Sequence, residues 1–280
     1  MAGTALVLGG GGLTGIGWEV GVLAGLAEAG LDLADADVVI GTSAGSIVGA
    51  HLTSGHLGLD EMYERQLAVP ENRSAARMGP AALARFAAIA LRSRDTVSFG
   101  IRMGRLALAA RTVTEAEQRT VIARTLNLTD WPARRLVITA VDAATGERTA
   151  FDDTSGARLL DAVGASCAVP GIYPPVTIDG TRWIDGGVHS SANADLAAGY
   201  GRVVIVAPMA ASGGPIAGPR AQGERLARQG ARVCVLTPDR AARAAFGRNV
   251  LDPAKRADAA RAGRRQAVAH VAQIQRVWSD

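Results

Sequence analysis

The chain has 280 residues, a formal net charge of +4 and only 4% aromatic residues. That length can bury a large core, and one α/β domain over residues 1–280 is expected. The scarcity of aromatics, with no recognition motif beside the basic stretches, argues against a nucleic-acid partner. Two widely spaced cysteines, Cys167 and Cys234, give no disulfide framework. No 18-residue apolar run exists and the opening Met-Ala-Gly-Thr-Ala lacks a basic segment, so a soluble, cytoplasmic chain is expected.

Ala5-Leu6-Val7-Leu8 reads as a strand and runs into Gly9-Gly10-Gly11-Gly12-Leu13-Thr14-Gly15; Val20, Leu23, Ala24 and Ala27 then recur at helical spacing from Ile16 to Ala29. Such a loop aims unpaired N–H groups and a positive helix end at whatever lies above it. An oxyanion is one occupant. A dinucleotide is the alternative, since Gly10 to Gly15 also satisfies G-x-G-x-x-G, with Asp35 and Asp37 about 20 residues on. Those acids precede the strand Val38-Val39-Ile40 rather than follow it, which weakens the nucleotide reading.

That second strand leads into Gly41-Thr42-Ser43-Ala44-Gly45 and a helix from Ser46 to His56, the strand, sharp turn and helix of a nucleophile elbow. Gly41 and Gly45 flank Ser43 because a Cβ there would crowd the turn. From Pro80 to Val113 apolar residues including Phe86, Phe99, Met103 and Leu106 alternate with arginines, and residues 70–135 read as a helical insertion. Residues 70–112 carry eight arginines against two acids. Either an ordinary helical layer with solvated arginines, or an interfacial lid touching anionic membrane, fits that pattern.

A strand follows from Leu136 to Val141, and a short one, Thr181 to Ile184, is closed by Asp185, with Gly186-Gly187 turning the backbone behind it. Asp185 is the favoured base for Ser43. His51 lies on the helix after the elbow, and His56 and His270 sit in polar contexts. His189, four residues past Asp185, is the competitor and would make a Ser-Asp-His triad. Strands at Arg202 to Ala207 and Arg232 to Leu236 precede a basic helix from Asp252-Pro253 to about Val277, expected to pack on the sheet's flank. No histidine, cysteine or acid spacing suits a metal, and neither metal nor cofactor is expected.

Taken together, the Gly10 to Gly15 loop, the Gly41 to Gly45 elbow, the stretch Ala165 to Pro175 and the Asp185-Gly186-Gly187 turn resemble the patatin-like phospholipases, over about residues 4–208. The resemblance implies a three-layer α/β/α sandwich with a mostly parallel sheet. It implies a serine acyl hydrolase acting on lipid esters through a Ser43-Asp185 dyad and an acyl-enzyme. Gly10, Gly11, Gly12 and Ala44 would supply oxyanion donors, with Gly41, Gly45, Gly186 and Gly187 supporting the turns. The family usually has Arg or Lys where this chain has Thr14, which removes a cation beside the loop.

Overall fold

A computed structural model of the chain describes residues 3–69, 76, 79–210 and 213–279. Strands β1 (Thr4–Leu8), β2 (Val38–Gly41), β3 (Leu136–Asp142), β7 (Arg202–Val206) and β8 (Arg232–Leu236) lie parallel in the order β3-β2-β1-β7-β8. Strands β4 (Arg148–Phe151) and β6 (Thr181–Asp185) run antiparallel to β3, and β5 (Val176–Ile178) runs antiparallel to β6. β1 and the last four residues of β7 are wholly buried apolar runs apart from Thr4, as expected for parallel strands covered on both faces.

Side-chain alternation sorts the sheet into two cores. Leu6, Leu8 and Val39 face the larger one, beneath α1 (Gly12–Glu28), α2 (Ala44–Ser54), α3 (Leu59–Leu67) and α10 (Arg256–Val268). Ala5, Val7, Val38 and Ile40 face the smaller, covered by residues 192–197 and by Leu226 of α8 (Pro219–Arg228). The chain is therefore a mixed α/β fold with a central sheet flanked by helices.

β3 is longer than either neighbour on one of its edges. Ile138 pairs with Gly41 of β2 and with Phe151 of β4, while Ala140 pairs with Asp185 of β6 and with Thr149 of β4. β4 thus occupies one edge, and β2 and β6 share the other, meeting end to end. Asp185 therefore approaches Ser43 from the opposite direction to β2, along the same edge of β3.

The basic stretch of the insertion folds as α4 (Pro80–Leu91) and α5 (Thr96–Ala109), followed by α6 (Glu115–Leu126); residues 70–75, 77 and 78 lie outside the described part. Gly100 and Gly104 let α5 approach the β3–β4 turn so closely that an added Cβ would meet the carbonyls of Gly146 and Ala143 at 2.6 and 1.8 Å. Phe99 and Met103 bury against Val141, Ile184 and Val188 beside the end of β6.

The expected single C-terminal helix is instead two, α10 and α11 (Val271–Trp278). α10 packs along α1, whereas α11 lies on β7 and β8, with Ile274 buried and the carbonyls of Trp278 and Val277 accepting from Arg202 and Arg232. One straight helix cannot follow both surfaces, and the break falls where the His270 ring meets the Gln266 carbonyl at 3.0 Å. α1 and α10 interlock through glycine: a Cβ on Gly17, Gly21 or Gly25 would meet α10 carbonyls at 2.5, 2.0 and 2.7 Å, and one on Gly263 would meet the Trp18 carbonyl at 2.3 Å.

Gly21→Ala should therefore lower the unfolding free energy by ~2 kcal/mol or more in urea titration, because the clash with backbone outweighs the better helix propensity of alanine. Gly164→Ala, with only a Val176 methyl at 3.6 Å from the new Cβ, serves as the comparison and should be neutral or slightly stabilising. Equal stability of the two variants would contradict the interlock.

Candidate active site

Ser43 sits at the turn between β2 and α2 with φ 51° and ψ −114°, a conformation costing a non-glycine residue roughly 1–3 kcal/mol. Its neighbours hold it there. The Ser43 N–H donates to Ser166 Oγ at 2.8 Å, and its carbonyl accepts from Ser46 N–H at 2.9 Å, Ser46 Oγ at 2.6 Å and Cys167 Sγ at 3.4 Å. Glycine on either side is a steric necessity: a Cβ at Gly41 would lie 2.6 Å from the Gly45 carbonyl, and one at Gly45 only 2.1 Å from that of Leu8.

Ser43 Oγ donates to Asp185 Oδ2 at 2.7 Å, and Gly187 N–H donates to the other carboxylate oxygen at 2.7 Å. Burial pushes the Asp185 carboxyl up to about 6, against the two hydrogen bonds that favour its charged form. Gly186 is required behind it, since a Cβ there would fall 2.3 Å from Thr139 Oγ1.

The glycine loop ends at α1, whose N-cap Gly11 offers no side-chain cap; α2 starts at Ser43 in the same way. Among the described residues the N–H groups of Gly11, Gly12 and Ala44 have no hydrogen-bond partner, and all three residues line one cavity with Ser43. Two positive helix ends therefore converge on Ser43. Gly10 differs: its N–H is spent on the Ser191 carbonyl at 2.7 Å, which leaves it no N–H to offer the cavity. Thr14 is buried, its N–H and hydroxyl both reaching the Val250 carbonyl, at 3.0 and 3.4 Å.

The cavity holds about 440 Å³, and its walls are largely apolar: Leu13, Ile16 and Ile47 from below, Phe86, Phe99 and Met103 from α4 and α5. His189 is not among them. It lies with Arg148 and Asp195, where burial and the guanidinium lower its pKa. The dinucleotide alternative fails on position, since Asp37 binds Thr4 N–H at 2.7 Å at the start of β1 and Asp35 pairs with Arg134. Both acids sit at the far end of the sheet from the glycine loop.

A family model described as "Patatin-like phospholipase" matches residues 6–198. The chain belongs to the patatin-like phospholipase family. No curated protein matches it. Among solved structures, VipD from Legionella pneumophila aligns with a TM-score of 0.47 at 12% identity, over 97% of this chain and 67% of that one. The type III effector protein ExoU aligns at 0.42 and 16% identity, over 98% of this chain and 53% of that one. This patatin-like chain thus spans about two thirds and about half of those two proteins.

Sequence reasoning missed the clamp on the Ser43 peptide. Ser166 and Cys167 belong to the Ala165 to Pro175 stretch that carries part of the family resemblance, and that was the available signal. Ser46 had none beyond its place one turn into the helix.

The raised carboxyl has a consequence for stability with a definite sign. Asp185 binds its proton more tightly folded than unfolded, so its favourable contribution is present below about pH 4 and is lost as pH rises through about 6. Moving a carboxyl from about 4 to about 6 corresponds to ~3 kcal/mol. Asp185→Asn should then be more stable than the parent by roughly 1–3 kcal/mol at pH 8, with the gain shrinking towards zero at pH 4.5. Urea titrations at the two pH values check this, and a gain that does not depend on pH would contradict it.

Proposed function

We propose that this protein is a serine acyl hydrolase that cleaves lipid esters through a Ser43-Asp185 dyad and a covalent acyl-enzyme. The observation that carries the reading is the 2.7 Å hydrogen bond from Ser43 Oγ to a buried carboxylate whose pKa is about 6, at the wall of an apolar cavity. Family membership supports lipid hydrolysis in the coarser sense.

Asp185 takes the Ser43 proton as the oxygen attacks the ester carbonyl carbon. The carbonyl oxygen becomes an oxyanion, held by the N–H groups of Gly11, Gly12 and Ala44, donors of a kind whose loss costs about 10²- to 10³-fold. The tetrahedral adduct collapses, the bond to the alcohol oxygen breaks, and Asp185 returns the proton to that oxygen. Water then repeats the sequence on the acyl-enzyme, with Asp185 again the base. A carboxylate in water is too weak a base for this near neutral pH; desolvation raises it into range. The acyl chain lies among Ile16, Ile47, Phe99 and Met103.

α4 and α5 serve in this reading as an interfacial lid. Their cavity-facing side carries Phe86, Ala90, Phe99 and Met103, whereas Leu91, Val97, Leu108 and Arg92, Arg94, Arg102 and Arg105 are exposed. Exposed apolar and cationic groups in the same helix pair suit an anionic bilayer. No described helix is long and apolar enough to cross a membrane.

Treatment with a fluorophosphonate should add one phosphonyl group at Ser43, and Ser43→Ala should abolish both adduct and ester hydrolysis. Asp185→Asn should lose at least about 10²-fold in rate, while His189→Ala retains most of it. An adduct elsewhere, or a lethal histidine change, would overturn the dyad.

For the lid, co-sedimentation with anionic vesicles should exceed that with neutral ones and weaken as salt shortens the Debye length from ~10 Å at 0.1 M to ~3 Å at 1 M. Changing Arg92, Arg94, Arg102 and Arg105 to Gln should reduce vesicle binding and turnover of aggregated lipid, leaving a soluble short-chain ester unaffected. Equal losses on both substrates would contradict an interfacial role.

A further inference from the structure

We propose that Asn193 is a positioning residue of the active site, splicing the strand end that carries Ser43 to the strand end that carries Asp185. This rests on the dyad described above and adds to it the group that sets the geometry.

The need for a splice comes from the sheet. β2 and β6 meet end to end on one edge of β3, each paired to β3 and neither to the other. Backbone ladder bonds fix each strand end relative to β3 but leave the span between Gly41 and Asp185 without a rung, and the dyad lies there. An error of about 1 Å in such a span is enough to cost about 10²-fold in rate.

Asn193 fills this gap. It is fully buried, and its Nδ2 lies 3.0 Å from Thr42 Oγ1, 3.1 Å from Thr139 Oγ1, 3.2 Å from the Gly186 carbonyl and 2.8 Å from the Ser190 carbonyl. Thr42 immediately precedes Ser43, and Gly186 immediately follows Asp185. Thr139 lies between them on β3 and is itself 2.9 Å from Thr42 through the two hydroxyls. One amide thus touches the residue next to each member of the dyad and the strand that supports them.

The direction of the amide is fixed chemically. Arg148 Nη1 lies 3.2 Å from Asn193 Oδ1, and Arg148 is itself held by Asp195 through two bonds of 2.7 and 2.8 Å. A guanidinium only donates, so oxygen must face it, and the NH₂ group must face the carbonyls of Gly186 and Ser190, which only accept. Backbone conformation adds a second constraint: φ is 52°, a left-handed position that asparagine tolerates better than most side chains.

The test compares Asn193→Gly, which keeps the backbone conformation and removes the amide, with Asn193→Asp, near-isosteric but unable as a carboxylate to donate to Gly186. Gly21→Ala, remote from the site and destabilised by its own clash, controls for loss of stability. All are assayed on a soluble ester, with active sites counted by fluorophosphonate titration of Ser43.

Both Asn193 variants should lose at least ~10-fold in kcat per titrated site with KM changed less than about twofold. In Asn193→Gly the acid limb of kcat/KM should move upwards from about pH 6, because a longer Ser43–Asp185 bond no longer favours the charged carboxylate. Gly21→Ala should keep the parent values of both. If Asn193→Gly does not fold, Asn193→Asp decides on kcat per site alone.

Parent-like kcat per site and an unmoved limb in a destabilised Asn193 variant would overturn the inference and leave a purely structural asparagine. A parent enzyme without labelling at Ser43, or without an acid limb near pH 6, would instead overturn the dyad, and the splice with it.

Discussion

The proposed chemistry depends on one hydrogen bond, from Ser43 Oγ to Asp185 Oδ2, between two buried residues. In water a carboxylate with its ordinary pKa near 4 has little tendency to take a serine proton. Burial changes that by disfavouring the charged form, and the bonds from Ser43 and Gly187 limit how far the change goes. For the proposed reaction the result is a base matched to near-neutral pH without an imidazole. It comes at the expense of folding stability above about pH 6, the usual tension between a reactive site and a stable one.

That bond needs two strand ends brought close, one of them strained at Ser43, and the fold supplies both. β2 ends in a serine at positive φ whose peptide is clamped by Ser46, Ser166 and Cys167. β6 arrives along the same edge of β3 from the opposite side and stops where its carboxylate faces the hydroxyl. The uncapped ends of α1 and α2 point their free N–H groups into the same space. The proposed nucleophile, base and donors for developing charge are all fixed by segments with little freedom to move, which is what preorganised electrostatic stabilisation requires.

Much of this was legible in the sequence because glycine is demanded by sterics at fixed offsets. Gly41, Gly45 and Gly186 each face a backbone atom closer than any Cβ allows, so the elbow and the turn appear as local patterns. Where apolar residues alternate with arginines from Pro80 to Val113, the chain forms α4 and α5. What stayed hidden depends on partners distant in the chain. Gly10 looks like any other loop glycine until the Ser191 carbonyl returns to occupy its N–H. The direction of β6 leaves no mark, since apolar alternation reads the same both ways. The break between α10 and α11 follows from two surfaces that only the folded chain presents. Ser166 and Asn193 act across 123 and 151 residues; Ser166 is marked only by its place in the Ala165 to Pro175 stretch, and Asn193 by no local pattern.

The most direct measurement of the central claim is the rate at which a fluorophosphonate captures Ser43 as a function of pH, followed by intact mass. If a desolvated Asp185 is the base, capture by the parent protein should rise with a midpoint near pH 6, and Asp185→Asn should be slow at every pH. His189→Ala should trace the parent curve. A midpoint that disappears with His189, or rapid capture that survives in Asp185→Asn, would contradict the account.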